Sequence, residues 1–356
     1  KKHFYFCWMM IRVVILLLNT ASGFKLCPGS CLCYESSDLV DCRSRGLVQV
    51  PLSVPHGTWL MDLSGNKLTE VRSRSFMGLW TLKILLIDFR SAAQTLSCAV
   101  QSLSSLQFLE RLDLSFNRLR WLPEDFSQGL SSLQELRLDQ NLLQHLDSTS
   151  LADFENLRKL DLSYNRIRTM DVRALGGLSR LRLLNLEGNR LNVLKEGLLS
   201  RQQSLEVLLL GHNNISVVQT EALAPLRSLT RLGLQANQLQ HIKFKTFLML
   251  QTTTTHLQMS SNPWTCDCDL QRVFGKIHRV RHLRVSDYED ITCSAPAQLA
   301  GSSLASQDGR LCLAETASVL VISITVTIAV IGAVVKAEQN RKTKQAVSDA
   351  EKQEQP

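Results

Sequence analysis

"LERLDLSFNRL" at residues 109–119 is answered 24 residues later by "LQELRLDQNLL" (133–143). The series continues at the same spacing with "LRKLDLSYNRI" (157–167), "LRLLNLEGNRL" (181–191), "LEVLLLGHNNI" (205–215) and "LTRLGLQANQL" (229–239). All six share the template LxxLxLxxNxL. Weaker copies flank them: "TWLMDLSGNKL" (58–68) and "LKILLIDFRSA" (82–92) before, "THLQMSSN" (255–262) after.

A fixed period of this length marks a solenoid in which each repeat adds one short strand. Leucines at template positions 1, 4 and 6 face a shared core, and parallel strands stack about 4.8 Å apart. The position-9 asparagines (Asn66, Asn117, Asn141, Asn165, Asn189, Asn213, Asn237, Asn262) are read as structural. They turn the chain inward and bond backbone groups that burial would otherwise leave unpaired. The second repeat departs from the template. Arg90 stands where asparagine belongs, and three extra residues precede the next repeat in a stretch holding Cys98. A local bulge is expected there.

Nine cysteines lie beyond Cys7. Cys27, Cys31, Cys33 and Cys42 form one cluster before the repeats, and Cys266, Cys268, Cys293 and Cys312 another after them. Cys98 stands alone. Cys-x-Cys pairs invite a zinc reading, but the apolar segments described below place this region in an oxidising compartment, where disulfides are expected. The two clusters, with "NPW" (262–264) leading into the second and "CSAPAQLAG" (293–301) near its end, resemble the caps of extracellular leucine-rich-repeat proteins. That resemblance covers about Leu26 to Cys312. It implies an α/β leucine-rich-repeat solenoid, a curved parallel sheet on the concave face, closed by disulfide caps. It further implies the pairs Cys27–Cys33, Cys31–Cys42, Cys266–Cys293 and Cys268–Cys312, which leaves Cys98 as a free, buried thiol or an intermolecular one. The family's tryptophan in the second cap's helix is missing here. Val273, Ile277 and Val280 are expected to supply the apolar stripe instead.

Thr316 to Val335 carries no charge, enough apolar length for one bilayer crossing of about 30 Å. Lys336, Arg341, Lys342 and Lys344 follow it, so the positive-inside rule places the C-terminal tail in the cytosol. Val13 to Leu18, followed by small residues, reads as a signal-peptide core, with Met9 or Met10 as candidate starts. The expected order is therefore signal (1–23), N-terminal cap (24–57), about nine repeats (58–262), C-terminal cap (263–312), span (316–335) and cytosolic tail (336–356). That is a single-pass type I protein of the plasma membrane with its solenoid outside the cell.

No GxSxG, HExxH, P-loop or kinase signature is present, and no cofactor or metal is implied. His278 and His282 have metal-pair spacing but sit among arginines and lysines, which repel a cation. The expectation is a non-enzymatic binding protein. Positions 3 and 5 of each repeat face solvent on the concave side. The central repeats place mixed charges there, as an ordinary wet surface does. Two aliphatic spots interrupt them: Ile84, Leu86 and Phe89 in the second repeat, and Leu183, Val207 and Leu209 in the sixth and seventh. Adjoining exposed aliphatics are candidate partner contacts. In the irregular second repeat, scattered apolar exposure is the plainer account.

Asn214-Ile215-Ser216 is a glycosylation sequon beside the later spot. The cap segment bearing Arg272, Lys276, Arg279, Arg281 and Arg284 has no acid. It reads first as a solubilising face, second as a site for sulfated glycans or an acidic surface. The net charge of +8 reflects such patches and the tail, and an extracellular location excludes nucleic acid. Thr325, Ala329 and Ala333 form a small-residue stripe along the span, which lets another helix approach. Only Leu313, Ala314 and Glu315 separate Cys312 from that span, whereas adhesion receptors gain from a stalk. The layout resembles the small leucine-rich-repeat auxiliary subunits of potassium channels and of platelet receptor complexes. That resemblance implies an accessory subunit binding another membrane protein in cis. A trans adhesion receptor, or a matrix or glycan binder, is the alternative.

Overall fold

A computed structural model of the chain describes residues 27–69, 71–72, 74–88, 103–250, 252–307 and 311–353. The signal segment, Phe89 and Cys98 lie outside these residues.

Twelve strands form one sheet in chain order. Nine of them come from the repeats, from Leu60–Asp62 to Thr255–Gln258. The caps contribute the other three. Leu32–Tyr34 pairs antiparallel with Leu39–Asp41, which opens the parallel run, and Leu283–Val285 closes it. Each cap therefore extends the sheet as well as covering its end, which shields edge strands from pairing with other chains.

The repeat strands cover positions 3 to 5, the last starting one residue earlier, with the position-4 leucine of the six regular repeats fully buried: Leu112, Leu136, Leu160, Leu184, Leu208 and Leu232. The strands stay in strict register, Leu184 opposite Leu160 and Leu208. On the far side of the core, Phe126 and Phe154 meet edge to face at 5.9 Å.

The asparagines form a ladder. Asn165 donates from Nδ2 to the carbonyls of Leu162 (3.1 Å) and Leu138 (2.9 Å), and its Oδ1 accepts from the Leu143 N–H (3.0 Å). Asn141, Asn189 and Asn213 repeat this geometry. Every rung thus satisfies buried backbone groups on its own turn and the one before it. Asn117 reaches back to the Ile87 carbonyl across 30 residues rather than 27, so the three extra residues of the second repeat leave the ladder in step. In that repeat Asp88 also accepts from the backbone N–H groups of Gly65 (2.8 Å) and Asn66 (3.3 Å).

The cap sulfurs are bonded Cys27–Cys33, Cys31–Cys42, Cys266–Cys293 and Cys268–Cys312. The second cap's helix, Cys268–Arg279, starts where Asp267 accepts the Leu270 N–H at 2.7 Å. Its buried stripe corrects the expected one. Leu270, Phe274 and Ile277 face the core, while Val273 and Val280 are only half-buried. Phe274 wins the inward place because it meets the buried Trp264 edge to face at 5.9 Å. Trp264 comes from the short strand Trp264–Thr265 just before the helix.

The last element is a helix, Leu313–Gln353, starting one residue after Cys312. Its apolar window, Val319–Lys344, is long enough to cross a membrane and contacts no core. The helix runs on through the residues expected as a tail, so Lys336 ends the uncharged run but not the helix.

Candidate binding faces

The concave face divides into a charged centre and aliphatic ends. In the centre the charges are mutually engaged. Arg137 reaches Asp113 at 3.1 Å and Asp139 at 3.2 Å; Arg111 lies 3.6 Å from Glu135, and Lys159 lies 4.0 Å from the same carboxylate. Burial opposes the Arg137 charge, but Asp113 and Asp139 outweigh it and raise the guanidinium above its ordinary value. At Asp139 burial wins over Arg137, and its carboxyl titrates above the usual range. Asp113 and Asp161 are further tied locally, each accepting from the backbone N–H and hydroxyl of the serine two residues on. The recurring Asp-Leu-Ser tripeptide is thus a turn device, a role that its solvent-facing position hides in the sequence.

Leu183, Val207 and Leu209 come together as one half-buried spot. Leu183 is directly opposite Val207, while Leu209 lies beside Val207 on the same face, between Asn185 and Gly233. A Cβ at Gly233 would stand in ordinary contact with Leu209 Cδ2 at 3.5 Å and 2.9 Å from Gln235 Oε1, so glycine leaves Leu209 uncovered on that flank. Lys159 and Arg231 bound the spot along the position-3 column. At the other end Ile84 stands between Leu60 and Arg111, and Leu86 between Asp62 and Asp113.

The basic cap residues do not share one surface. Arg272 and Lys276 line a groove of about 1340 Å³ on the outer side, with Val217, Phe244 and Leu248 among its walls. There Lys276 stands 5.8 Å above the Phe244 ring, and Arg272 pairs with Asp269 at 3.2 Å. Arg284 lies on the inner sheet instead, extending the column Arg231–His256. Arg279 and Arg281 are exposed between the two. The split arises because the chain rounds the end of the solenoid between residues 279 and 284. His278 packs its ring edge to face on Tyr288 at 4.4 Å, and no metal-holding cluster occurs among the described residues.

Asn214 is exposed, past the corner where Asn213 turns inward, so it stands on the descending edge rather than on the concave spot. Thr325, Ala329 and Ala333 lie on the terminal helix, where the Thr325 hydroxyl bonds the Ile322 carbonyl at 2.8 Å.

A capped, curved parallel sheet with an asparagine ladder and one apolar C-terminal helix defines a leucine-rich-repeat ectodomain protein. The leucine rich repeat family pattern matches residues 107–167, 131–191 and 179–239. With its disulfide caps and one candidate membrane helix among the described residues, the chain resembles small single-pass leucine-rich-repeat proteins that carry cysteine caps. It is 31% identical over 122 residues to leucine-rich repeat-containing protein 3 of Danio rerio, covering 33% of this chain and 45% of that one. Over 128 residues it is 35% identical to human reticulon-4 receptor-like 2, covering 35% and 29%. It therefore spans less than half the length of these curated relatives. Among solved structures, human trophoblast glycoprotein (5T4) shares the fold, with a TM-score of 0.58, 22% identity, and 80% and 96% of the two chains covered. These similarities point to a protein-binding ectodomain, one of the relatives bearing a receptor-like name.

Proposed function

We propose that the chain is an accessory subunit that binds another plasma-membrane protein in the same membrane. One observation supports this most. Cys312 is disulfide-bonded into the cap through Cys268, and the apolar helix begins at the next residue. A solenoid tethered so closely has little reach toward another cell, and its neighbours in the bilayer are the partners within range. The Leu183–Val207–Leu209 spot then offers the apolar contact, and Thr325, Ala329 and Ala333 offer a close helix approach. The trans receptor reading is the competitor, since one relative carries a receptor-like name.

A flexible insertion of about 15 Gly/Ser residues between Cys312 and Thr316 tests the choice. Random-coil statistics loosen the ectodomain by roughly 20 Å. A cis subunit engaging one partner through cap and span together loses effective concentration. Co-precipitation of membrane partners from singly expressing cells should therefore fall. Unchanged cis association with stronger cell–cell binding in mixed populations would establish the trans reading instead.

A further inference from the structure

After each strand the chain turns a corner and descends the flank of the solenoid. Positions 9 and 11 point inward there, as the buried Asn165 and Ile167 do, so positions 8, 10 and 12 point out. The descending segments are stitched together sideways: the N–H groups of Leu142, Arg166 and Arg190 donate to the carbonyls of Leu119, Leu143 and Ile167, each at 2.9 Å. Outward side chains on successive turns therefore stand in a fixed comb, about 4.8 Å apart.

That comb carries Arg118 and Arg120 on the third repeat, Arg166 and Arg168 on the fifth, and Arg190 on the sixth, all exposed. The outward positions of the described repeats contain no Asp or Glu. Among acids of the flanking turns, Glu187 lies 3.7 Å from His212, Asp171 lies 3.4 Å from His145, and Asp147 accepts from Thr149 and Ser150. None of the five guanidiniums has a carboxylate within ion-pair distance among the described residues. At the head of the two paired rows stand Phe116 and Tyr164, 66% and 52% exposed. Both hold left-handed backbone, φ 57° and 53°, and the Tyr164 ring lies over Gly188, where a Cβ would come within 2.6 Å of it.

We propose that this descending edge binds a sulfated polysaccharide of the glycosaminoglycan type, laid along the solenoid axis. Guanidinium forks match sulfate oxygens in bidentate fashion. Rows at the third, fifth and sixth repeats give an extended polyanion three points of attachment over roughly 14 Å. The exposed aromatic faces supply flat platforms for sugar rings. The strip is shallow and linear, which suits a polymer read by charge spacing more than an acidic protein anchored by a buried side chain. The proposal rests on the disulfide-bonded solenoid lying outside the cell, but its test does not depend on the cis reading.

The full chain in detergent micelles is titrated with a fluorescent heparin oligosaccharide. Arg118→Gln with Arg120→Gln, and separately Arg166→Gln with Arg168→Gln, should each weaken Kd by about tenfold. The cap variant with Arg272, Lys276 and Arg279 all changed to Gln should stay within about twofold. Edge variants that bind like wild type, or a cap variant that alone loses binding, overturn the assignment. Polyglutamate displacing heparin at equal charge concentration shows that the strip selects charge alone and sinks the polysaccharide assignment in favour of an acidic protein. Unchanged thermal melts of the variants confirm that folding is not the cause.

Discussion

The concave centre and the descending edge are both rich in arginine, and they use it in opposite ways. On the concave side Arg137 is shared by Asp113 and Asp139, beside Arg111 and Lys159, which both lie near Glu135. On the edge, Arg118 and Arg166 have no carboxylate within ion-pair distance among the described residues. A neutralised surface spends its charge on its own register and exerts little pull on an outside ion. An uncompensated row keeps its field for a partner. Arginine content alone therefore says nothing about which face binds; the cross-strand neighbour decides.

The largest expected effect comes from removing what both faces hang on. Asn165→Ala leaves the Leu143 N–H and the Leu138 and Leu162 carbonyls without their buried partner. It should cost about 3 kcal/mol or more of unfolding free energy. Denaturant unfolding followed by circular dichroism measures it, and a loss under about 1 kcal/mol would mean that the turns hold register by leucine packing alone. The contrast between the faces is sharpened next. Arg137→Met strands two carboxylates and should cost about 1–2 kcal/mol, whereas Arg166→Gln should stay within about 0.5 kcal/mol. Equal costs for the two would erase the distinction between a paired and an unpaired face.

The last test concerns why the edge lacks acids. Asp147 follows the strip but is turned away from it, accepting from the Thr149 and Ser150 N–H groups and both hydroxyls. Burial alone would raise its pKa, yet these bonds bring the carboxyl down to about 2 from 3.8. A depressed folded-state value means that the carboxylate stabilises the fold above its ordinary pKa and loses that contribution as pH falls toward 2. Asp147→Ala should therefore cost about 1 kcal/mol at neutral pH, a gap that closes between about pH 4 and pH 2. A gap independent of pH would show that the side chain acts by packing rather than charge.

Much of this fold was legible in one dimension because its contacts recur at one period. Leu160 and Asn165 have the same neighbours as Leu184 and Asn189, 24 residues on, so periodicity in the sequence is periodicity in space. The aliphatic spot at Leu183, Val207 and Leu209 was readable for the same reason. The caps were less so. Their cysteine spacing announced them, but nothing periodic said that Leu39–Asp41 and Leu283–Val285 would extend the sheet, or that Phe274 would displace Val273 from the core.

The sequence by itself thus determined the solenoid, its strand register, the inward asparagines and the apolar span, since each follows from local spacing and side-chain type. Tertiary structure alone decided which charges are spent. Asp113 goes to Arg137, Glu187 to His212, and Arg272 and Arg284 part to opposite sides of the solenoid end. The physical reason is range. Leucine burial depends on which face a residue points to, which alternation fixes, whereas an ion pair depends on a few ångströms between side chains of neighbouring turns, and only the folded stack sets that distance.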